Sequence, residues 1–314
     1  MYPAGNGDAF IINSDGTNLL IDAGYASTFN DHIKSDLEYL ASVGESLDLL
    51  ITTHVDADHI SGVIRFLSSN GHSNQPNIIP IKEIWHNSLR SISASEPGKL
   101  TADEEGALNA ICLRGHPSTE DELNSGVSEI SARQGSTLAK LIYEGGYKWN
   151  ESDGTRSISL DNVSHKTLSD GEVRVIAPRK ERLEALMRWW EKEVQTLRCS
   201  RMEASGGVID DAFELMCAHL SNENSTAPIL LSSATAKNLE EAYLPDKSKT
   251  NGSSIATVIE LNGKRLLMLA DALAEDVVTA LRELQKNGHS LIFDVVKISH
   301  HCYRRCKNDP LTSI

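Results

Sequence analysis

The first fifty residues alternate between two hydrophobic periods. The apolar run Ala9 to Ile12, the turn Ser14-Asp15-Gly16 and the run Leu19 to Ile21 predict a β-hairpin. Apolar residues at Ile33, Leu37, Leu40 and Val43, followed by Gly44, predict a helix over FNDHIKSDLEYLASVG. LDLLITT then runs almost continuously apolar, the pattern of a strand covered on both faces. ISGVIRFLSS predicts a helix and IKEIWHN a strand.

From Ser91 to His165 the chain turns polar, and is expected to form an insertion of short helices and loops, with one helix near SARQGSTLAKLIYEGG. EVRVIAP predicts a strand, and KERLEALMRWWEKEVQTL an amphipathic helix on Leu183, Leu186, Met187, Trp190, Val194 and Leu197. Residues 199–250 give no clear pattern. Order returns with SIATVIELNGKRLLMLAD, a hairpin about Asn262-Gly263. A helix over AEDVVTALRELQKNG and a strand over SLIFDVVKISHH complete the reading.

Four predicted strands end in residues that bind metals: LLIDAG at Asp22, LLITTH at His54, LLMLAD at Asp271, and VVKISHH at His300 and His301. THVDADHISG adds Asp56, Asp58 and His59, so four ligand-type side chains fall within six positions. In an open α/β sheet, strand ends on one edge converge, and a cluster of carboxylates and imidazoles needs either a metal or costly pairing to persist. The competing reading is a solvated turn, with Asp58 as the N-cap of the following helix. The repetition at several strand ends favours the metal.

The size and composition narrow the class. The chain has 314 residues, 40% hydrophobic, with a formal net charge of −14. That suits a globular protein and argues against one that coats nucleic acid non-specifically. No stretch is apolar enough to suggest a membrane span, and no signal segment opens the chain. Five scattered cysteines fit reduced thiols, so the expected location is the cytoplasm.

HVDADH resembles the H-x-[HD]-x-D-H signature of the metallo-β-lactamase fold superfamily. GNGDAF, LLIDAG, LLITTHVDADHISG, NGSSIATVIELNGKRLLMLAD and DVVKISHH are similar, in order, to the metallo-β-lactamase-like domain of competence DNA-uptake proteins and its free-standing soluble relatives. The resemblance spans about residues 5–90 and 168–301. It implies an α/β fold, a four-layer αβ/βα sandwich, here a single domain over 1–314 with an insertion at about 91–165. It also implies two divalent ions, zinc or manganese. His54 and Asp56 would bind the first and Asp58 and His59 the second. Asp271 would bridge them, and His300 would complete the second site, with His301 as its alternate. Asp22 would support the loop without touching metal.

The sequence also departs from that pattern. Asp56 stands where many members have His, and Asn251 where they have a further His, which makes the site richer in oxygen and shifts its preference toward harder ions such as Mn²⁺. Ala270 replaces a usual glycine. SHHCYRRCKNDP replaces the expected continuation, and the chain reads as truncated at its C-terminus.

The activity implied is hydrolysis by a metal-activated water, with Asp58 as a proton acceptor and a phosphodiester or nucleic acid as substrate. The alternatives are a small ester, thioester or lactone, or a binding module whose chemistry has decayed. Arg304, Arg305 and Lys307 are candidate phosphate contacts. Trp189 and Trp190 are candidates to stack bases, against which the helical spacing of Trp190 suits a place in the core. The insertion could take a protein partner.

Overall fold

The computed structural model describes residues 1–93, 100–115, 137–196, 207–223 and 248–299. The first hairpin is β1 (Ala9–Ser14) and β2 (Thr17–Ala23). The expected first helix is a composite: α1 (Ala26–Thr28), a π-helical turn (Phe29–Ile33) and α2 (Lys34–Ser42). Then come β3 (Leu49–Ile51), α3 (Ala57–Asn70), β4 (Ile84–Trp85), α4 (Leu89–Ile92), α5 (Ala102–Cys112) and α6 (Leu138–Glu144). β5 (His165–Thr167) and β6 (Gly171–Ala177) precede α7 (Lys180–Thr196), α8 (Val208–Glu223) and α9 (Lys249–Gly252). The chain continues through β7 (Ala256–Leu261), β8 (Lys264–Met268), α10 (Ala274–Lys286) and β9 (Val295–Lys297).

Two mixed sheets result, ordered β1-β2-β3-β4 and β5-β6-β7-β8-β9. β2, β3 and β4 run parallel, as do β8 and β9; the remaining neighbours are antiparallel. The period-2 alternation of strand side chains sorts them into layers. Leu19, Ile21, Leu49, Ile51 and Trp85 of the first sheet meet Val173, Val175, Ile259, Leu261 and Met268 of the second in the central core. Leu20, Leu50 and Ile84 point the other way, against helices α3, α6, α7 and α8. On the outer face of the second sheet, Val258 and Leu267 pack on Val277 and Leu281 of α10. This is the αβ/βα sandwich the sequence led us to expect.

Within 91–165, α5 packs on α8, and α6 on both α3 and α8. The chain then returns to the body: Trp149, 1% exposed, forms a parallel bridge to Ile84, and Ile158 and Val163 enter the central core. α8 lies in the stretch whose pattern was unclear. The strand expected over SLIFDVVKISHH contracts to three residues: Val295 and Val296 lie half exposed at the sheet edge, where no second neighbour among the described residues extends the pairing. Trp190 is fully buried, edge-on to Phe213 at 5.6 Å between ring centroids, so its role is core packing and not base stacking.

Candidate metal centre

The loop after β3 is placed by main-chain bonds. The Thr52 N–H donates to the Trp85 carbonyl at 2.9 Å, which carries the parallel pairing one residue beyond the strand. Thr53 donates both its N–H (2.8 Å) and its hydroxyl (2.7 Å) to the Asp22 carboxylate. Asp56, not Asp58, is the N-cap residue of α3, and its side chain makes no capping bond. The expected alternative role for Asp58 is thereby corrected: Asp58 is already inside the first turn, where helical dihedrals have begun. Gly7 admits this packing, since a Cβ there would stand 1.7 Å from the Asp58 carbonyl oxygen.

Asp22 sits at the end of β2 in the left-handed region, φ +51°. Besides holding Thr53, its Oδ2 lies 2.8 Å from His59 Nδ1. This bond turns His59 Nε2 toward Asp271 Oδ2, 3.3 Å away. His54 Nε2 reaches the same oxygen at 3.8 Å and Asp56 Oδ2 at 3.5 Å, while His59 Nε2 lies 4.0 Å from Asp58 Oδ1. The other Asp271 oxygen accepts the Ser299 hydroxyl at 2.7 Å. Ala270, the residue that replaces glycine, adopts φ +46°, a conformation that costs a non-glycine residue roughly 1–2 kcal/mol.

His54, His59 and Asp271 therefore present three donor atoms within 4.8 Å of one another, all buried. Two ligands about 2.1 Å from one tetrahedral ion stand roughly 3.4 Å apart, close to the 3.3–3.8 Å found here. His54 Nε2 is buried and makes no hydrogen bond among the described residues. The donor set fits a divalent cation.

A second group, Asp8, Asp22 and His59, is equally close. It is already satisfied within the protein, because His59 Nδ1 is bonded to Asp22 and Asp8 pairs with the ammonium of Lys297. Burial is the main force raising the Asp58 carboxyl above its usual range, with Asp56 and Asp271 adding to it and His59 and His54 opposing. For His59 burial favours the neutral ring, but Asp22 and Asp58, with hydrogen bonds to Asp22 and Asp271, outweigh it and hold the imidazole well above its ordinary value.

Residues 2–120 match the metallo-beta-lactamase superfamily. The matched span runs from β1 to the insertion and contains the whole loop, His54 to His59. The superfamily points to metal-dependent hydrolysis in general. No curated protein matches the chain.

Of the residues expected at the site, the structure brings together Asp22, His54, Asp56, Asp58, His59 and Asp271. Asn251 is buried in α9, and Ile255, just beyond it, donates its N–H to the Thr53 carbonyl at 2.9 Å. His300, His301, Arg304, Arg305 and Lys307 lie outside the described residues. Sequence reasoning missed Asp8, Thr53, Lys297 and Ser299. Asp8 and Lys297 carried a usable signal, a charge within or beside an apolar strand run. No helix among the described residues is long and apolar enough to cross a membrane.

Proposed function

We propose that this chain is a metal-dependent hydrolase of phosphodiesters, with His54, Asp56, Asp58, His59 and Asp271 as its ligands, and His300 completing the set. The observation that carries this reading is the convergence of His54 Nε2, His59 Nε2 and Asp271 Oδ2, all buried, on one small volume. Zinc or manganese bound there would supply a Lewis acid and an activated water.

The chain's own residues do the rest. Asp22 accepts from His59 Nδ1, which selects the tautomer whose Nε2 lone pair faces Asp271. Ser299 anchors one Asp271 oxygen and leaves the other toward both imidazoles. Asp58, with its carboxyl raised, is the group suited to take a proton from the attacking water and return it to the leaving oxygen. A carboxylate at position 56 in place of imidazole adds oxygen character, which suits harder ions and phosphoryl oxygens. The likeness of the motifs to competence DNA-uptake proteins supports a nucleic-acid substrate, and the helices of the 91–165 segment offer a surface for a partner.

The test is metal content by mass spectrometry, with cleavage of bis-(p-nitrophenyl) phosphate and single-stranded DNA under added Mn²⁺ or Zn²⁺. His54→Ala combined with Asp271→Ala should abolish turnover and leave the circular dichroism spectrum unchanged. Undiminished activity in that variant would overturn the site. Turnover confined to an ester, thioester or lactone would overturn the substrate.

A further inference from the structure

A third buried imidazole, besides His54 and His59, lies one strand away from the loop. His86 follows β4 directly, and the register that pairs Ile51 with Trp85 puts it beside Thr52 on the same, helix-covered face of the parallel sheet. Its main chain is clamped on both sides. Asn150 Oδ1 accepts the His86 N–H at 3.0 Å, and Asn150 Nδ2 and Trp149 Nε1 donate to its carbonyl at 2.9 and 2.8 Å. This clamp is built on two consecutive non-glycine residues in the left-handed region, Asn150 (φ +48°) and Glu151 (φ +70°), a conformation that persists only where the surroundings enforce it.

Facing the ring is Glu214 of α8, which like His86 has no exposed surface. Its carboxylate is held in place by the N–H groups of Leu138 and Ala139, at 2.5 and 3.1 Å. His86 Nε2 and Glu214 Oε2 are 3.5 Å apart. A buried imidazole and carboxylate that share a proton close to about 2.8 Å, as His59 and Asp22 do in this same chain. His86 and Glu214 do not: neither nitrogen of the His86 ring makes a hydrogen bond among the described residues, and neither does the neighbouring Thr52 hydroxyl. Their separation equals the 3.5 Å between His54 Nε2 and Asp56 Oδ2 in the candidate metal centre.

We propose that His86 and Glu214 form a further cation site, separate from the loop centre and independent of the hydrolase reading. The ion is a borderline divalent cation of the zinc class, bound by imidazole Nε2 and carboxylate Oε2, with water completing its coordination. Bound there, it ties α8 to the end of β4. Cys217, one helical turn beyond Glu214, is fully buried, and its thiol is pushed up by burial and then by the Asp56 and Glu214 carboxylates. The polar row on α8 thus runs toward the loop.

The experiment starts from the His54→Ala/Asp271→Ala chain, so that the loop centre does not mask the count. Titrated with Zn²⁺ and desalted, it should retain one ion per chain by mass spectrometry. Adding His86→Asn or Glu214→Gln should remove that ion. A wild-type crystal soaked in Zn²⁺ and measured at the zinc edge should show an anomalous peak between His86 and Glu214, which decides the matter even where a variant fails to fold. Retention of the ion after His86→Asn, or a soaked crystal with no peak there, overturns the proposal and leaves a plain buried ion pair. A peak at His86 in a chain that hydrolyses nothing would uphold this site while the hydrolase reading falls.

Discussion

Replacing Asp22 with Asn tests whether one buried carboxylate organises the loop. The change is nearly isosteric, and removes a charge and one acceptor. Asp22 accepts three bonds, from the Thr53 N–H, the Thr53 hydroxyl and His59 Nδ1, at 2.7–2.8 Å. Asn can keep the first through its Oδ1. Its NH₂ group must then face Thr53 Oγ1, which can accept by turning its proton to His54 Nδ1 at 3.0 Å, and His59 Nδ1, where donor meets donor. Each hydrogen bond to a charged acceptor contributes about 1.5–3 kcal/mol, and breaking a buried pair by changing one partner costs about 3–5 kcal/mol. We expect the metal-free variant to lose about 3–5 kcal/mol, a large part of the 5–15 kcal/mol typical of a folded chain. Asp22 also fixes the ring whose Nε2 faces Asp271, so metal affinity should fall about 10–100-fold. Urea unfolding of the metal-free protein reads the first quantity, and competition with a chromophoric chelator the second. A loss below about 1 kcal/mol, with metal affinity within twofold of wild type, refutes the argument that Asp22 positions His59.

Other outcomes follow from single contacts. Gly62→Ala puts a Cβ 2.1 Å from the Ala23 carbonyl oxygen, and because backbone stands on both sides we expect a loss of about 2–3 kcal/mol in thermal unfolding; an unchanged melting temperature contradicts the α3–β2 packing. Trp190→Ala should cost about 3–5 kcal/mol and leave the affinity of the folded protein for single-stranded DNA unchanged in filter binding, the reverse of what a base-stacking role requires. In metal-free protein, His59 and Asp58 are both raised above their unfolded values. For His59 the stabilising contribution is complete below about 6.5 and declines as pH rises through the folded value; for Asp58 the decline begins above about 3.9. The melting temperature of chelator-treated protein should therefore fall from pH 6 to pH 9, and a rise over that interval contradicts the assignment.

Much of the sandwich was legible because strands write their two faces into alternate residues. Leu19 and Ile21 go to one core and Leu20 to the other; Leu49 and Ile51 part from Leu50 in the same way. α8 was not legible. Its buried face carries Glu214 and Asp210 among Ile209, Phe213 and Cys217, so burial and polarity do not separate along it. The candidate metal centre was half legible for a related reason. Strand ends on one edge converge, which brought Asp22, His54 and Asp271 together from positions far apart in the chain. Lys297 with Asp8, and His86 with Glu214, are tertiary pairings with no local period to announce them.

The carboxylates in this region are answered by two kinds of basic group, and only one of the two can also serve as a metal ligand. Asp8 meets an ammonium, Lys297, which also donates to the Ala270 carbonyl and so pins the turn that delivers Asp271. A protonated ammonium offers no lone pair, so the group around Asp8 is neutralised from within the chain. Asp271 and Asp56 meet imidazoles instead. An imidazole relieves a carboxylate while protonated and can become a ligand once it gives up that proton, so His59 suits both the metal-free site and a loaded one. Metal uptake should accordingly release protons, as the raised His59 requires, and isothermal titration in buffers of different ionisation enthalpy would count them. A count of zero between pH 7 and 8 would mean that His59 is already neutral, and that the Asp22 contact does not hold its proton.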